Sequence, residues 1–201
     1  MTLNNVSISK LINEGYSEFN HRGELSSKYR KKIYESLSIQ SINIQIPSNF
    51  IQAKLEIMCA LKVSELWDSH ESVTICANKF MNLCQKCLSG NFSSEILRER
   101  KYNFYSEADS LFDEDPQPLI SAYAGFACIS AANVVLFGID LDMLGIPEIE
   151  IDDPNSWTAS FYASVAYCGS AIWEEKTNND CKRREFWEWF LYEAIPSICE
   201  Q

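Results

Sequence analysis

The chain has 201 residues, is 46% hydrophobic and carries a formal net charge of −11. This length fits one domain with a substantial core. Seven Gly and six Pro are too few for a disordered chain or a turn-rich β protein. A chain this acidic lacks the basic stripe that binds phosphates. We therefore expect neither nucleic acid nor an anionic membrane as a direct partner.

The negative charge belongs to one half of the molecule. Residues 1–100 hold twelve Lys or Arg and ten Asp or Glu, which gives +2, whereas residues 101–201 hold five and eighteen, which gives −13. No Lys, Arg or His occurs from Tyr102 to Glu175. Such a field attracts an oppositely charged partner and speeds its association. The alternative interpretation is a solvated surface that only keeps the protein soluble.

The first 49 residues are mixed in character. A polar stretch with a short helix at Ser9–Glu14 precedes a basic amphipathic helix from Leu25 to Leu37. Isoleucines then alternate with polar residues from position 42 to position 46, which predicts an extended segment or a short strand. We predict that residues 1–49 form an N-terminal arm, packed on or loosely attached to a helical domain of residues 50–201.

Helical periodicity dominates from residue 50 onward. Apolar spacing and end signals predict helices over Phe50–Trp67, Val73–Leu88, Ser94–Phe112, Leu119–Gly138 and Asp153–Trp173, and a last helix from Asn179 or Asp180 to just before Pro196. Six or seven helices joined by short loops predict a single-domain, all-α bundle.

The stretch from Leu119 to Ile139 is almost uncharged and about long enough to cross a bilayer. Its flanks are acidic, and Ser121, Ser130 and Asn133 interrupt it, which is not typical of a membrane span. We therefore predict a mostly buried central helix. The N-terminus lacks the basic-then-apolar layout of a signal peptide, so we expect a cytoplasmic protein with reduced cysteines.

No motif predicts catalysis, a cofactor or a metal. Cys84 and Cys87 form a CxxC without a second ligand pair, in a helical context where buried structural cysteines are expected. Asp140 opens a loop similar to an EF-hand, but the fifth and twelfth positions would be Leu144 and Ile151, which rules out that calcium site. The chain has only two histidines and no phosphate-binding glycine loop.

The densest aromatic segment lies near the end of the chain. Arg183-Arg-Glu-Phe-Trp-Glu-Trp-Phe-Leu191 places aromatic side chains on nearly all sides of a helix, which predicts packing against several neighbours. An exposed Trp here would instead be a candidate binding anchor.

This segment, with Ala194-Ile-Pro196, resembles the closing motif of an all-helical immunity-protein family of bacterial polymorphic toxin systems, the family numbered five. Other segments similar to that family are Lys54–Val63 with Trp67, Ala122–Ala127 with Ala131 and Ala132, and Asp153–Ala163 followed by Gly169. The resemblance covers about residues 50–199. The chain departs from the family in its many cysteines and in residues 1–49, for which the resemblance supplies no counterpart.

The resemblance implies a non-enzymatic protein that binds a toxin domain and protects the producing cell. The charge distribution adds that a basic toxin, such as one that attacks nucleic acid, fits an acidic face. We therefore predict that partner binding uses the acidic loops, namely Asp113, Glu114, Asp115, Asp140, Asp142, Glu148, Glu150, Asp152 and Asp153.

Two rival functions stay open from the residues alone. The first is a helical-bundle enzyme that uses inward-facing carboxylates, with Glu56, Glu107, Glu185 and Glu188 as its helical acids. These acids form no Glu-x-x-His pair of the kind found in di-metal bundles. The second is a structural or adaptor bundle, which differs from an immunity protein only in its partner. The oligomeric state is left undetermined.

Overall fold

The computed structural model describes residues 8–114, 118–147, 157–171 and 179–199. Within them the chain is all-α, as predicted, and contains no strand beyond one isolated bridge between Phe19 and Leu25. The helices are α1 (Ile8–Gly15), α2 (Ser27–Asn43), α3 (Phe50–Asp68), α4 (Ala77–Leu88), α5 (Ser94–Ser110), α6 (Leu119–Phe137), α7 (Ala159–Cys168), α8 (Asp180–Trp189) and α9 (Ile195–Cys199). A π-helical segment, Phe190–Ala194, joins α8 and α9 without a break.

Helices α3 and α6 form an antiparallel pair at the centre of the bundle. The Ser121 hydroxyl near the start of α6 donates to the Leu66 carbonyl near the end of α3 (2.9 Å). At the other end, the Asn49 amide donates to the Val134 carbonyl (3.5 Å). Gly125 allows this close approach, because a Cβ added there would lie 2.5 Å from the Trp67 ring.

Helix α6 is the predicted central helix. It packs against α3, α5 and α7, and its alanines let these neighbours approach closely. Of the described helices, it is the one long and apolar enough to cross a membrane, and 61% of that apolar window is buried inside the protein. Burial among helices accounts for its composition.

Helix α2 contributes to the same core as the later helices. Ser26 accepts a hydrogen bond from the Tyr29 N–H and caps the helix, and Tyr29, Ile33 and Tyr34 are buried. The Gln52 amide of α3 donates to the Tyr34 carbonyl (2.7 Å). The predicted boundary at residue 49 stays a prediction.

The predicted extended segment around Ile42 is wrong. Helix α2 continues through Ile42 to Asn43, and the Ile44 N–H closes the helix on the Gln40 carbonyl (3.2 Å). Ile42 and Ile44 are 59% and 58% exposed, so the alternating isoleucines bury no strand face. Adding residues to an existing helix is favourable because the costly first turn has already formed, so α2 extends through Ile42 in place of a separate extended segment.

The predicted start of α4 is also wrong. Helix α4 begins at Ala77 instead of Val73, because the Asp68 carboxylate accepts from the Ala77 N–H (2.6 Å) and acts as a cap from another helix. Helix α7 begins at Ala159, capped by the Thr158 hydroxyl, and ends at Cys168. Asp153 and Pro154, the predicted start of that helix, lie outside the described residues.

The last helix runs through Pro196 to Cys199, although it was predicted to stop before the proline. Proline lacks an N–H, and its ring clashes with the carbonyl four residues earlier in a regular α-helix. The π-helical segment ends at Ala194, two residues before Pro196, and widens the backbone in the turn that precedes the proline. The helix therefore continues with a local change of winding.

Candidate functional site

Four of the predicted partner-binding acids lie in the described residues. Asp113 and Glu114 follow α5, at and just after a 3₁₀ turn (Leu111–Asp113). Asp140 and Asp142 follow α6 and precede a second 3₁₀ turn (Met143–Gly145). The other five, Asp115, Glu148, Glu150, Asp152 and Asp153, lie outside the described residues.

The structure places these two acidic pairs at opposite ends of α6, which is about 27 Å long. Glu114 lies 3.7 Å from the His70 imidazole, beyond the end of α3. Asp142 lies 3.9 Å from the Lys31 ammonium, on the side of α2. The acids therefore form two separate pairs along one helix.

Two cavities lie along the face of α6 that carries Tyr123, Phe126, Ser130 and Asn133. The aromatic cleft has a volume of about 280 Å³ and is lined by Tyr105, Asp109, Phe112, Tyr123, Phe126, Trp157 and Tyr162. The Asp140 cavity has a volume of about 170 Å³ and includes Ser130, Asn133, Asp140 and Trp157 in its lining. Because Trp157 lines both, they form one acidic and aromatic face along α6.

The helical repeat builds the aromatic cleft. Tyr105, Asp109 and Phe112 are spaced four and three residues apart and share one face at the end of α5. Phe126 of α6 lies at the floor, with its ring stacked on Tyr162 of α7 at 5.6 Å. The Tyr105 ring meets Phe126 edge-on at 5.8 Å. The walls thus offer ring faces together with one exposed carboxylate.

Every residue that lines the aromatic cleft belongs to the span from Tyr102 to Glu175, which has no Lys, Arg or His. The side chains of Asp109 and Asp113 are exposed and four residues apart near the end of α5, so their negative charges add. Aromatic ring faces attract cations as well. The chemistry of this face therefore favours a positively charged partner.

A second polar cluster lies inside the core. Glu56 has no solvent exposure and accepts hydrogen bonds from the Tyr34 hydroxyl and the Ala159 N–H (2.6 Å). Burial raises the pKa of the Glu56 carboxyl above its ordinary value, while hydrogen bonds from Tyr34, Ala159 and Ser160 oppose the rise. Neither the aromatic cleft nor the Asp140 cavity reaches Glu56. This carboxylate joins three helices and has no path to a substrate through those cavities.

The cysteines are all free thiols. Cys84 of the CxxC is buried, and desolvation raises its pKa to about 12, which keeps the thiol protonated. Across the described ranges, no three His, Cys, Asp or Glu side chains lie close enough together to hold a metal ion. The predicted structural interpretation of Cys84 agrees with its burial.

The aromatic segment that spans α8 and the start of the π-helical segment packs mostly in the core, as predicted, with Trp189 partly buried. Phe186, Trp187, Phe190 and Leu191 are fully buried. Arg183 is also buried, and its guanidinium lies 3.5 Å from the Glu24 carboxylate and donates to the Ser170 carbonyl (2.9 Å). Arg183 therefore connects α8 to Glu24, which lies just before α2.

In a comparison with protein families, residues 12–197 match the family model described as Immunity protein Imm5. The chain belongs to the Imm5 immunity protein family. A search of the curated proteins found no match.

The Imm5 match includes most of the first 49 residues, for which the resemblance above supplied no counterpart. It also contains both acidic pairs and both cavities. The aromatic cleft and Asp109 were missed by the sequence reasoning. The spacing of Tyr105, Asp109 and Phe112 was visible, but nothing in the sequence showed that α6 and α7 complete the walls.

Proposed function

We propose that this protein binds a cognate bacterial toxin domain in the cytoplasm and neutralises it without catalysis. The observation that carries this proposal is the Imm5 family match over nearly the whole chain. The acidic and aromatic face along α6 supplies a surface suited to a basic partner.

Charge supports a basic toxin domain, such as a nuclease, as the target. Residues 101–201 carry a net charge of −13, and the described acids of the predicted interface are exposed or partly exposed at both ends of α6. A protein that attacks nucleic acid needs a basic surface for phosphate. An acidic face competes for that surface and repels nucleic acid and anionic lipid itself.

The first experiment uses the neighbouring gene. This chain is co-expressed with the C-terminal domain of the protein encoded immediately upstream, growth is scored, and the two chains are tested for co-purification. Rescue of growth together with a stable complex supports the proposal. A toxic domain that is neither bound nor neutralised contradicts it.

Electrostatic steering gives a quantitative test of the interface. Changing Asp140 and Asp142 to Asn together with Glu148 and Glu150 to Gln should lower the association rate with that toxin domain about tenfold at low salt. The dependence of the rate on NaCl concentration should flatten, because fewer charges remain to be screened. Stopped-flow or surface-binding kinetics measures both.

A matched control removes the same number of charges elsewhere. Changing Glu14, Glu18, Glu65 and Glu99 to Gln alters the net charge equally on exposed positions outside the face. This variant should keep most of the salt dependence. If both variants lowered the association rate and its salt dependence equally, the net charge of the protein, and not the position of the acids, would govern association.

A further inference from the structure

The aromatic cleft differs from an ordinary apolar groove because it holds a carboxylate. Asp109 lines the same cavity as six aromatic residues and is itself exposed. Asp113 lies one helical turn further along. Any partner group that fills this cleft must therefore lie beside aromatic ring faces and a negative charge.

We infer that the aromatic cleft binds one Lys or Arg side chain of the partner toxin domain, with Asp109 as its counter-charge. This inference rests on the proposed function, since the toxin domain supplies the cation. It goes further by assigning the contact to a defined cavity and by naming Asp109, outside the acids predicted from the loops.

The size of the cleft fits a single side chain. Its volume of about 280 Å³ lies just below the range of roughly 300–1,000 Å³ typical of sites for whole small molecules. A long, flexible side chain with a charged end can lie along the ring faces and reach a carboxylate at the rim.

The charge decides which side chain fits. An apolar or aromatic group would cover Asp109 without pairing it, and removing an unpaired carboxylate from water is costly. A Lys or Arg side chain satisfies Asp109 and gains from the ring faces as well.

The same chain uses this chemistry internally. Arg30 lies 4.9 Å from the Trp187 ring centre, and Lys62 lies 4.7 Å from that of Trp189. The cleft offers a partner the kind of cation–ring contact that the protein already makes within its own fold.

The first test needs no toxin. Acetyl-arginine methylamide and its uncharged analogue, acetyl-citrulline methylamide, are titrated into the ¹⁵N-labelled protein and followed by NMR. We expect the arginine compound to shift the Trp157 indole N–H and the Asp109 amide, and the citrulline compound to leave them unchanged. Asp109→Asn should abolish the shifts. Equal effects of both compounds, or no shift in the cleft, overturn the inference.

The second test measures affinity for the toxin domain encoded upstream. Asp109→Asn should weaken binding roughly thirtyfold, as expected when one partner of a buried charge pair is lost. Tyr105→Leu should weaken it about tenfold, whereas Tyr105→Phe keeps the ring and should bind as the wild type does. Glu99→Gln, about 15 Å away along α5, controls for the lost charge.

The outcomes separate this inference from the proposed function. A wild-type protein that binds the toxin domain while Asp109→Asn and Tyr105→Leu bind equally well contradicts the cleft assignment alone. A wild-type protein that binds no toxin domain contradicts the proposed function. The arginine titration then shows whether the cleft binds a cationic side chain. Thermal unfolding of each variant confirms that it is folded.

Discussion

Glu56 is a carboxylate without solvent exposure that connects three helices. It lies on α3 and accepts hydrogen bonds from the Tyr34 hydroxyl of α2 and the Ala159 N–H at the start of α7. The Tyr34 hydroxyl also lies 2.9 Å from the Ser160 hydroxyl. The carboxylate thus satisfies one of the backbone N–H groups that a helix start leaves without an internal partner.

Loss of this carboxylate should destabilise the fold. Glu56→Ala removes the acceptor for the Ala159 N–H and leaves a cavity, so we expect the free energy of unfolding to fall by about 3 kcal/mol. Glu56→Gln has the shape of the protonated acid and should stay within about 1 kcal/mol of the wild type near pH 4, below the ordinary pKa of the group. Urea unfolding measures both variants.

Comparing the wild type with Glu56→Gln also reports the direction in which the pKa of Glu56 is shifted. Because burial raises this pKa in the folded state, the folded protein binds more protons than the unfolded chain above the ordinary value of 4.5. The contribution of Glu56 to stability is therefore complete below about pH 4.5 and is lost as the pH rises through the folded-state pKa. The stability of the wild type relative to Glu56→Gln should therefore fall as the pH rises above about 4.5. A difference that grows with pH would contradict the raised pKa.

The sequence identified Glu56 as a helical acid but not its role. Its partner Ala159 lies 103 residues further along the chain, so no local spacing connects them. Asp109 was missed for the same reason, because the opposite wall of its cleft is formed by Trp157 and Tyr162. Contacts between distant residues decide both sites, and a single sequence does not show them.

At the scale of elements, α3 and α6 were predicted almost to the residue. Both are long, and both have apolar side chains on more sides than one, which is a strong signal of a buried helix. The start of α4 was missed because acids of other helices hold the preceding loop. Asp68 accepts from Ala77, and Glu107 accepts from the Thr74 and Ile75 N–H groups. Because these acceptors come from other helices, no local pattern in the sequence reveals them.

The contact of α6 with α3 depends on Gly125. Gly125→Ala should lower the free energy of unfolding by about 1–2 kcal/mol, because the new Cβ overlaps the buried Trp67 ring. That cost exceeds the gain of roughly 0.5–1 kcal/mol that alanine normally brings to a helix. Chemical denaturation measures the change.

Ser106→Ala on the exposed face of α5 is the matched control, and it should be neutral or slightly stabilising. A stabilised Gly125→Ala variant would show that α3 and α6 can move apart at little cost.

On the scale of the whole molecule, the concentration of negative charge in one half of the chain lowers the stability of the folded state. Residues 101–201 carry a net charge of −13, and like charges at this density repel each other in the folded state. We predict that the free energy of unfolding rises by on the order of 1 kcal/mol between low salt and 0.3 M NaCl, as screening weakens this repulsion. Urea titrations at several NaCl concentrations test this. A fall in stability would mean that attractive ion pairs dominate.

The first and last parts of the described chain are packed together. Arg183 pairs with Glu24, Arg184 lies 5.3 Å from the centre of the Phe19 ring, and Gly15 packs against the Leu191 side chain. The chain is made from its N-terminus, so Gly15, Phe19 and Glu24 leave the ribosome long before their partners exist. The core can close only after α8 has been translated. A nonsense mutation before Asp180 therefore removes the last helix and also leaves the earliest residues without the surface against which they fold.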